Sequence, residues 1–149
     1  RQKLGVELIE QPLAKENWEG MKTLKKVSTI PLYADESCVA ETEVAKCANY
    51  FHGINIKLTK CGGITPARRM IKEARQLGLK IMLGSMNEST IGSAALAHLR
   101  SLVDALDIDG PLLLSQDLAT GLEYENGYLK LSDMPGLGIE FKGVISSEH

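Results

Sequence analysis

Short apolar runs alternate with amphipathic helical patterns along this 149-residue chain, and that alternation constrains the fold more than any other feature. Strand patterns fall at about 4–10, 32–36, 53–58, 80–84 and 104–109, and helical patterns at about 16–28, 41–50, 64–77 and 88–102. The helix at 64–77 has start and stop signals: Thr65 as a cap, Pro66 in the first turn and Gly78 at the end. Its apolar residues Met70, Ile71, Ala74 and Leu77 recur at spacings of three and four, as Ile91, Ala94, Ala95, Leu99 and Leu102 do in the next helix. Strands alternating with helices imply a parallel sheet with crossover helices. An open doubly wound sheet and a closed (β/α)₈ barrel both satisfy this. The open sheet usually carries a glycine-rich phosphate turn after its first strand, whereas here that position reads Glu10-Gln11-Pro12. Charged groups at several successive strand ends favour the barrel, which builds its site there. Five strands do not close an eight-stranded barrel, so about three more are expected upstream of Arg1.

The pattern changes after Asp109. Leu122–Glu125 and Tyr128–Leu131 flank Asn126-Gly127, a two-residue hairpin signal. Residues 1–112 therefore read as half a barrel with about five βα units, 113–143 as a return segment with a hairpin, and 144–149 as a disordered tail. With 17 basic and 19 acidic residues the net charge is −2, which gives no electrostatic case for nucleic acid or an anionic membrane. No apolar stretch nears the roughly 20 residues that span a bilayer. Cys38, Cys47 and Cys61 are odd in number and lack metal-ligand spacing, as expected of reduced thiols in a cytoplasmic protein.

Three strand ends carry the chemistry. Apolar runs end at Glu10, at Asp35 and at Lys57. Side chains alternate along a strand, so Glu10 shares a face with Leu8, Asp35 with Tyr33 and Lys57 with Asn55. If those faces point into a barrel mouth, the three groups converge. Two carboxylates can hold Mg²⁺ with positions left for water or substrate, and a lysine beside a cation can serve as a base with its pKa depressed. Taken singly, either acid could be a helix cap or a solvated strand end. Asp107-Ile108-Asp109 sets two like charges on one face of the last strand, which a cationic partner would relieve; a strand-end turn through Gly110-Pro111 is the plainer reading.

Several motifs in fixed order resemble the enolase superfamily, and its muconate-lactonizing group most closely. These are Glu10-Gln11-Pro12, Ala34-Asp35-Glu36-Ser37, Asn55-Ile56-Lys57-Leu58 with Gly62-Gly63, and Gly84-Ser85-Met86-Asn87-Glu88. The resemblance covers about residues 4–140 and implies the C-terminal part of a TIM-like (β/α) barrel. It implies that Glu10 and Asp35 are the second and third Mg²⁺ ligands and that Lys57 is one of two acid/base lysines facing each other across the substrate. The first ligand, an Asp, and the other lysine lie on earlier strands in this family, so this chain alone is expected to be inactive. Lys60 reads as a neighbour that changes face. The Asp107-Ile108-Asp109 motif resembles the mark of dipeptide epimerases, where it holds the substrate's α-ammonium; Ser85 and Glu88 are further substrate-binding candidates. The implied activity is a Mg²⁺-dependent isomerase that epimerises a dipeptide through an enediolate, in a homo-oligomer. N-acylamino-acid racemisation, o-succinylbenzoate synthesis, cycloisomerisation and a non-catalytic barrel used for binding or assembly are the alternatives.

Overall fold

The computed structural model describes residues 4–143. Its centre is a five-stranded parallel sheet in the order β1 (Ile9–Glu10), β2 (Leu32–Ala34), β3 (Gly53–Ile56), β4 (Lys80–Gly84) and β5 (Ala105–Asp107). The strands sit side by side in chain order, with no reversal of the kind that defines a doubly wound sheet. This sequential order is the barrel type of α/β winding.

Alternation along the strands sorts the two faces. Leu32, Ala34, Ile54, Ile56, Ile81 and Leu83 have no exposed surface and join one core with Met21, Val44, Cys47, Ala67, Met70, Ala74 and Leu96 from the helices. Tyr33 and Met82 are buried too, but outside that cluster. They share the opposite face with Asn55, which puts the interior of the curved sheet on the side of Glu10, Asp35 and Lys57. Gly53 is required there: a Cβ would meet the Tyr33 ring at 2.6 Å and the Lys80 carbonyl at 2.8 Å.

The helices are α1 (Trp18–Val27), α2 (Val44–Cys47), α3 (Leu58–Cys61), α4 (Ile64–Gln76) and α5 (Thr90–Ala97). Several differ from the sequence expectation. The first strand is two residues rather than seven, because the chain turns at Gly5 (φ 67°) and residues 4–7 are exposed. The helix expected at 41–50 is a 3₁₀ turn, Glu41–Glu43, running into the short α2. The helix expected at 88–102 ends at Ala97 and is followed by a 3₁₀ turn, Arg100–Leu102. Thr65 does not cap α4. Gly63 occupies that position with no side-chain bond and Thr65 lies inside the helix, while Gly78 (φ 73°) follows its end as expected. The start of α5 is held from far away: the Asp117 carboxylate accepts from the Thr90 N–H at 2.9 Å.

The return segment forms two small antiparallel ladders. Strands β6 (Ala119–Thr120) and β9 (Glu140–Phe141) pair, as do β7 (Leu122–Glu125) and β8 (Tyr128–Leu131). Asn126 and Gly127 both have positive φ, 50° and 80°, the signature of a type I′ hairpin turn. The expected tail at 144–149 lies outside the described residues. Among the described residues no helix is long and apolar enough to cross a membrane.

Candidate active site

The C-terminal ends of the first three strands bring Glu10, Asp35 and Lys57 into contact. Lys57 Nζ lies 3.0 Å from Asp35 Oδ2 and 3.8 Å from Glu10 Oε1. Asp35 is 5% exposed, so its charge is viable only because it is matched. A second ammonium does part of that matching: Lys60 Nζ donates to Asp35 Oδ1 at 2.5 Å. The expectation that Lys60 changes face is corrected here. Strand alternation stops at Lys57, which is the N-cap of α3, and one helical turn returns the residue three positions on to the same carboxylate.

The two acids differ electrostatically. Burial pushes the Glu10 carboxyl upward, and the hydrogen bond from Asn55 offsets only part of this, so its pKa lies above the ordinary value. Burial also pushes Asp35 upward, but hydrogen bonds from Lys60 and Lys57 and their charges outweigh it and hold Asp35 below the carboxylate range. Lys57 is opposed by burial, yet the Asp35 bond and the charges of Asp35 and Glu10 raise its pKa above the usual lysine value. The depressed lysine expected from the sequence is therefore not a product of the protein's own groups, which stabilise the ammonium.

Asn55 supports the site from beneath. It is 1% exposed, its Nδ2 donates to Glu10 Oε1 at 2.6 Å, and its Oδ1 is buried with no protein partner. Gly84 on the adjacent strand leaves room for this amide, because a Cβ there would meet the Asn55 Nδ2 and Oδ1 at 2.6 Å. Two carboxylates with an unmatched acceptor beside them fit a hard, partly hydrated divalent cation, since Mg²⁺ keeps waters and takes one or two carboxylates. Among the described residues no group of three or more His, Cys, Asp or Glu is placed to complete a ligand set.

The other sequence candidates lie on the same rim without touching the trio. Asp107 is level with Gly84 in the β4–β5 register and exposed; Asp109 is exposed two residues on. Ile108 turns its side chain into the core, 6% exposed, and its carbonyl accepts from the Tyr124 hydroxyl at 2.7 Å. Burial and the negative charges of Asp109 and Asp117 push the Tyr124 phenol up to about 12, so it remains a donor. Ser85 Oγ accepts from the Gly110 N–H at 3.2 Å, tying the end of β4 to the loop after β5. Glu88 accepts from the Met86 N–H at 3.1 Å and packs over Gly92, whose Cβ would clash with it. Sequence alone does not mark Tyr124, Asn55 and Gln11 as site residues: no local pattern surrounds Tyr124, and Gln11 and Asn55 are uncharged members of Glu10-Gln11-Pro12 and Asn55-Ile56-Lys57-Leu58.

A parallel sheet wound in chain order, with two acids and a lysine gathered at its C-terminal edge, is a segment of a (β/α) barrel that carries its site at the strand ends. The profile of the Enolase C-terminal domain-like family matches residues 2–144, and the chain belongs to that family. Among curated relatives, the L-Ala-D/L-amino acid epimerase of Flavobacterium johnsoniae is 53% identical over 137 residues, covering 92% of this chain and 41% of that protein. The dipeptide epimerase of Methylococcus capsulatus, solved with Mg and the dipeptide L-Arg-D-Lys, superposes with a TM-score of 0.87 at 36% identity, covering 94% of this chain and 42% of the other. The substrate-liganded L-Ala-D/L-Glu epimerase of Bacillus subtilis gives a TM-score of 0.86 at 34% identity, covering 93% and 40%. The chain thus spans about two-fifths of the length of these relatives.

Proposed function

We propose that this chain forms the catalytic rim of a Mg²⁺-dependent epimerase acting on dipeptides. The observation that carries the reading is Lys57 Nζ held between Asp35 and Glu10, at 3.0 and 3.8 Å, on the C-terminal edge of adjacent parallel strands. Glu10 and Asp35 are the residues that would hold Mg²⁺. When bound, the cation withdraws charge from a substrate carboxylate and makes the α-proton more acidic. Lys57 carries the proton at Nζ: neutral, it removes the α-proton of one epimer; protonated, it returns a proton to that same face when the other epimer is the substrate. Lys60 keeps a positive charge on Asp35 while Lys57 changes state. The reading also requires a facing acid/base group, a further ligand and the strands that close the barrel, in addition to the residues of this chain.

Substrate class follows from the last strand. Asp107 and Asp109 stand exposed on the rim, and Tyr124, neutral up to about 12, fixes the peptide between them. An anionic pair of this kind suits a substrate ammonium and disfavours an N-acylated analogue. This favours dipeptide epimerisation over N-acylamino-acid racemisation on the same framework. The proposal also includes a cytoplasmic, homo-oligomeric enzyme. Exchange of the α-proton for deuterium, measured with Mg²⁺ and the protein carrying the complete barrel, tests the reading across dipeptides and their N-acylated counterparts. Exchange confined to free-amine dipeptides is expected; exchange only with N-acylated substrates would move the assignment to the racemase.

A further inference from the structure

The residue after Glu10 has an unusual backbone. Gln11 sits at φ 35°, a left-handed conformation that glutamine rarely adopts. The other non-glycine residue of this kind among those described is Asn126, in the hairpin turn where asparagine is ordinary. The turn at Gln11 swings its amide across to the loop after β2. Oε1 accepts from the Asp35 N–H at 3.0 Å and the Ser37 N–H at 3.2 Å. Nε2 donates to Ser37 Oγ at 3.0 Å and the Leu13 carbonyl at 2.9 Å. An amide offers two donors and two acceptor sites, and all four are used. The Gln11 N–H also donates to the Tyr33 carbonyl at 2.8 Å, extending the β1–β2 ladder, and Ser37 Oγ donates onward to the Lys15 carbonyl at 3.1 Å.

We infer that Gln11 is a positioning residue that sets the gap between the Glu10 and Asp35 carboxylates and thereby the affinity of the site for Mg²⁺. It is bonded covalently to one acid and holds the backbone N–H of the other, so its amide fixes both strand ends in one frame. A strained backbone retained beside a ligand pair is the kind of cost that a required geometry sustains. The inference rests on the proposed metal role of the two acids.

Two substitutions separate positioning from folding. Gln11→Ala removes the amide and keeps the strained φ; Gln11→Gly removes the amide and relieves the strain. Mg²⁺ affinity is measured by isothermal titration on the protein carrying the complete barrel, and melting temperature separately in EDTA. Both variants should bind Mg²⁺ about 10–100-fold more weakly, the range for residues that orient metal ligands, while the glycine variant melts higher than the alanine variant. Ser37→Ala keeps Gln11 but removes one of its partners, and should weaken Mg²⁺ by a smaller factor; it carries the test if the Gln11 variants do not fold. Affinity that recovers in Gln11→Gly along with melting temperature, or is unchanged in all three variants, overturns the positioning role. A wild type that fails to bind Mg²⁺ overturns the metal reading itself, and the inference with it.

Discussion

Replacing Asp35 by Asn should destabilise the protein even in the absence of metal. Asp35 matches two ammonium groups, Lys57 at 3.0 Å and Lys60 at 2.5 Å, with side chains 14% and 22% exposed. Removing one partner of a fully buried pair costs about 3–5 kcal/mol. Here the lysines keep some water contact and the asparagine still accepts a hydrogen bond, so about 2–3 kcal/mol is the expected loss. The cause would be two ammoniums facing each other across a neutral amide. Adding Lys60→Met removes one of them and leaves Lys57 with Glu10, 3.8 Å away. The double variant should therefore be more stable than Asp35→Asn alone, by about 1 kcal/mol. Urea unfolding in EDTA, followed by the fluorescence of Trp18, gives all four corners of the cycle. That tryptophan reports well because it packs edge-on to Tyr50 at 4.9 Å beneath the Lys46 ammonium. Additivity within about 0.5 kcal/mol would refute the shared-carboxylate argument.

Three further outcomes follow from the structure. Gly84→Ala should push Asn55 off Glu10 and cost about 1–3 kcal/mol in chemical denaturation; a neutral result would mean that the Asn55 amide moves freely. Asp107→Asn with Asp109→Asn should lower kcat/KM for free-amine dipeptides by about tenfold or more, the loss of a charge-assisted contact, and spare N-acylated analogues; an equal loss for both substrates would reduce the pair to a strand-end turn. Asp104 is pushed up by burial but held below its ordinary value by the Ile81 N–H and Arg75. A depressed carboxyl contributes stability above its unfolded pKa and loses it as pH falls through the folded one. Asp104→Asn should thus cost about 1 kcal/mol near neutrality, with the gap to wild type closing below about pH 4; a gap that persists in acid would assign the effect to packing.

The parts of this site that were legible in the sequence are those carried by local pattern. Charges that end apolar runs pointed to Glu10, Asp35 and Lys57, and strand–helix alternation gave a parallel sheet whose sequential order the structure bears out. Turn chemistry placed the Asn126-Gly127 hairpin for the same reason. What could not be read depends on contacts distant in sequence. Asn55 reaches Glu10 across 45 positions, Gln11 reaches Asp35 across 24, and Tyr124 holds Ile108 across 16. The short α3 offers four residues, too few for a helical period, and missing it misplaced Lys60. The overlong first strand arose from Leu4, Val6 and Leu8, which precede the ladder because the chain turns at Gly5.

Isotope exchange by a Lys57→Ala variant of the protein carrying the complete barrel tests the central claim most directly. A lysine on one side of the α-carbon addresses one epimer, so the effect must be one-sided. With Mg²⁺ and D₂O, the variant should lose α-proton exchange from one epimer of a dipeptide substrate, and epimerisation in both directions should stop. Normal exchange from both epimers would contradict the assignment of Lys57 and leave Lys60, on the same carboxylate, as the lysine to replace next.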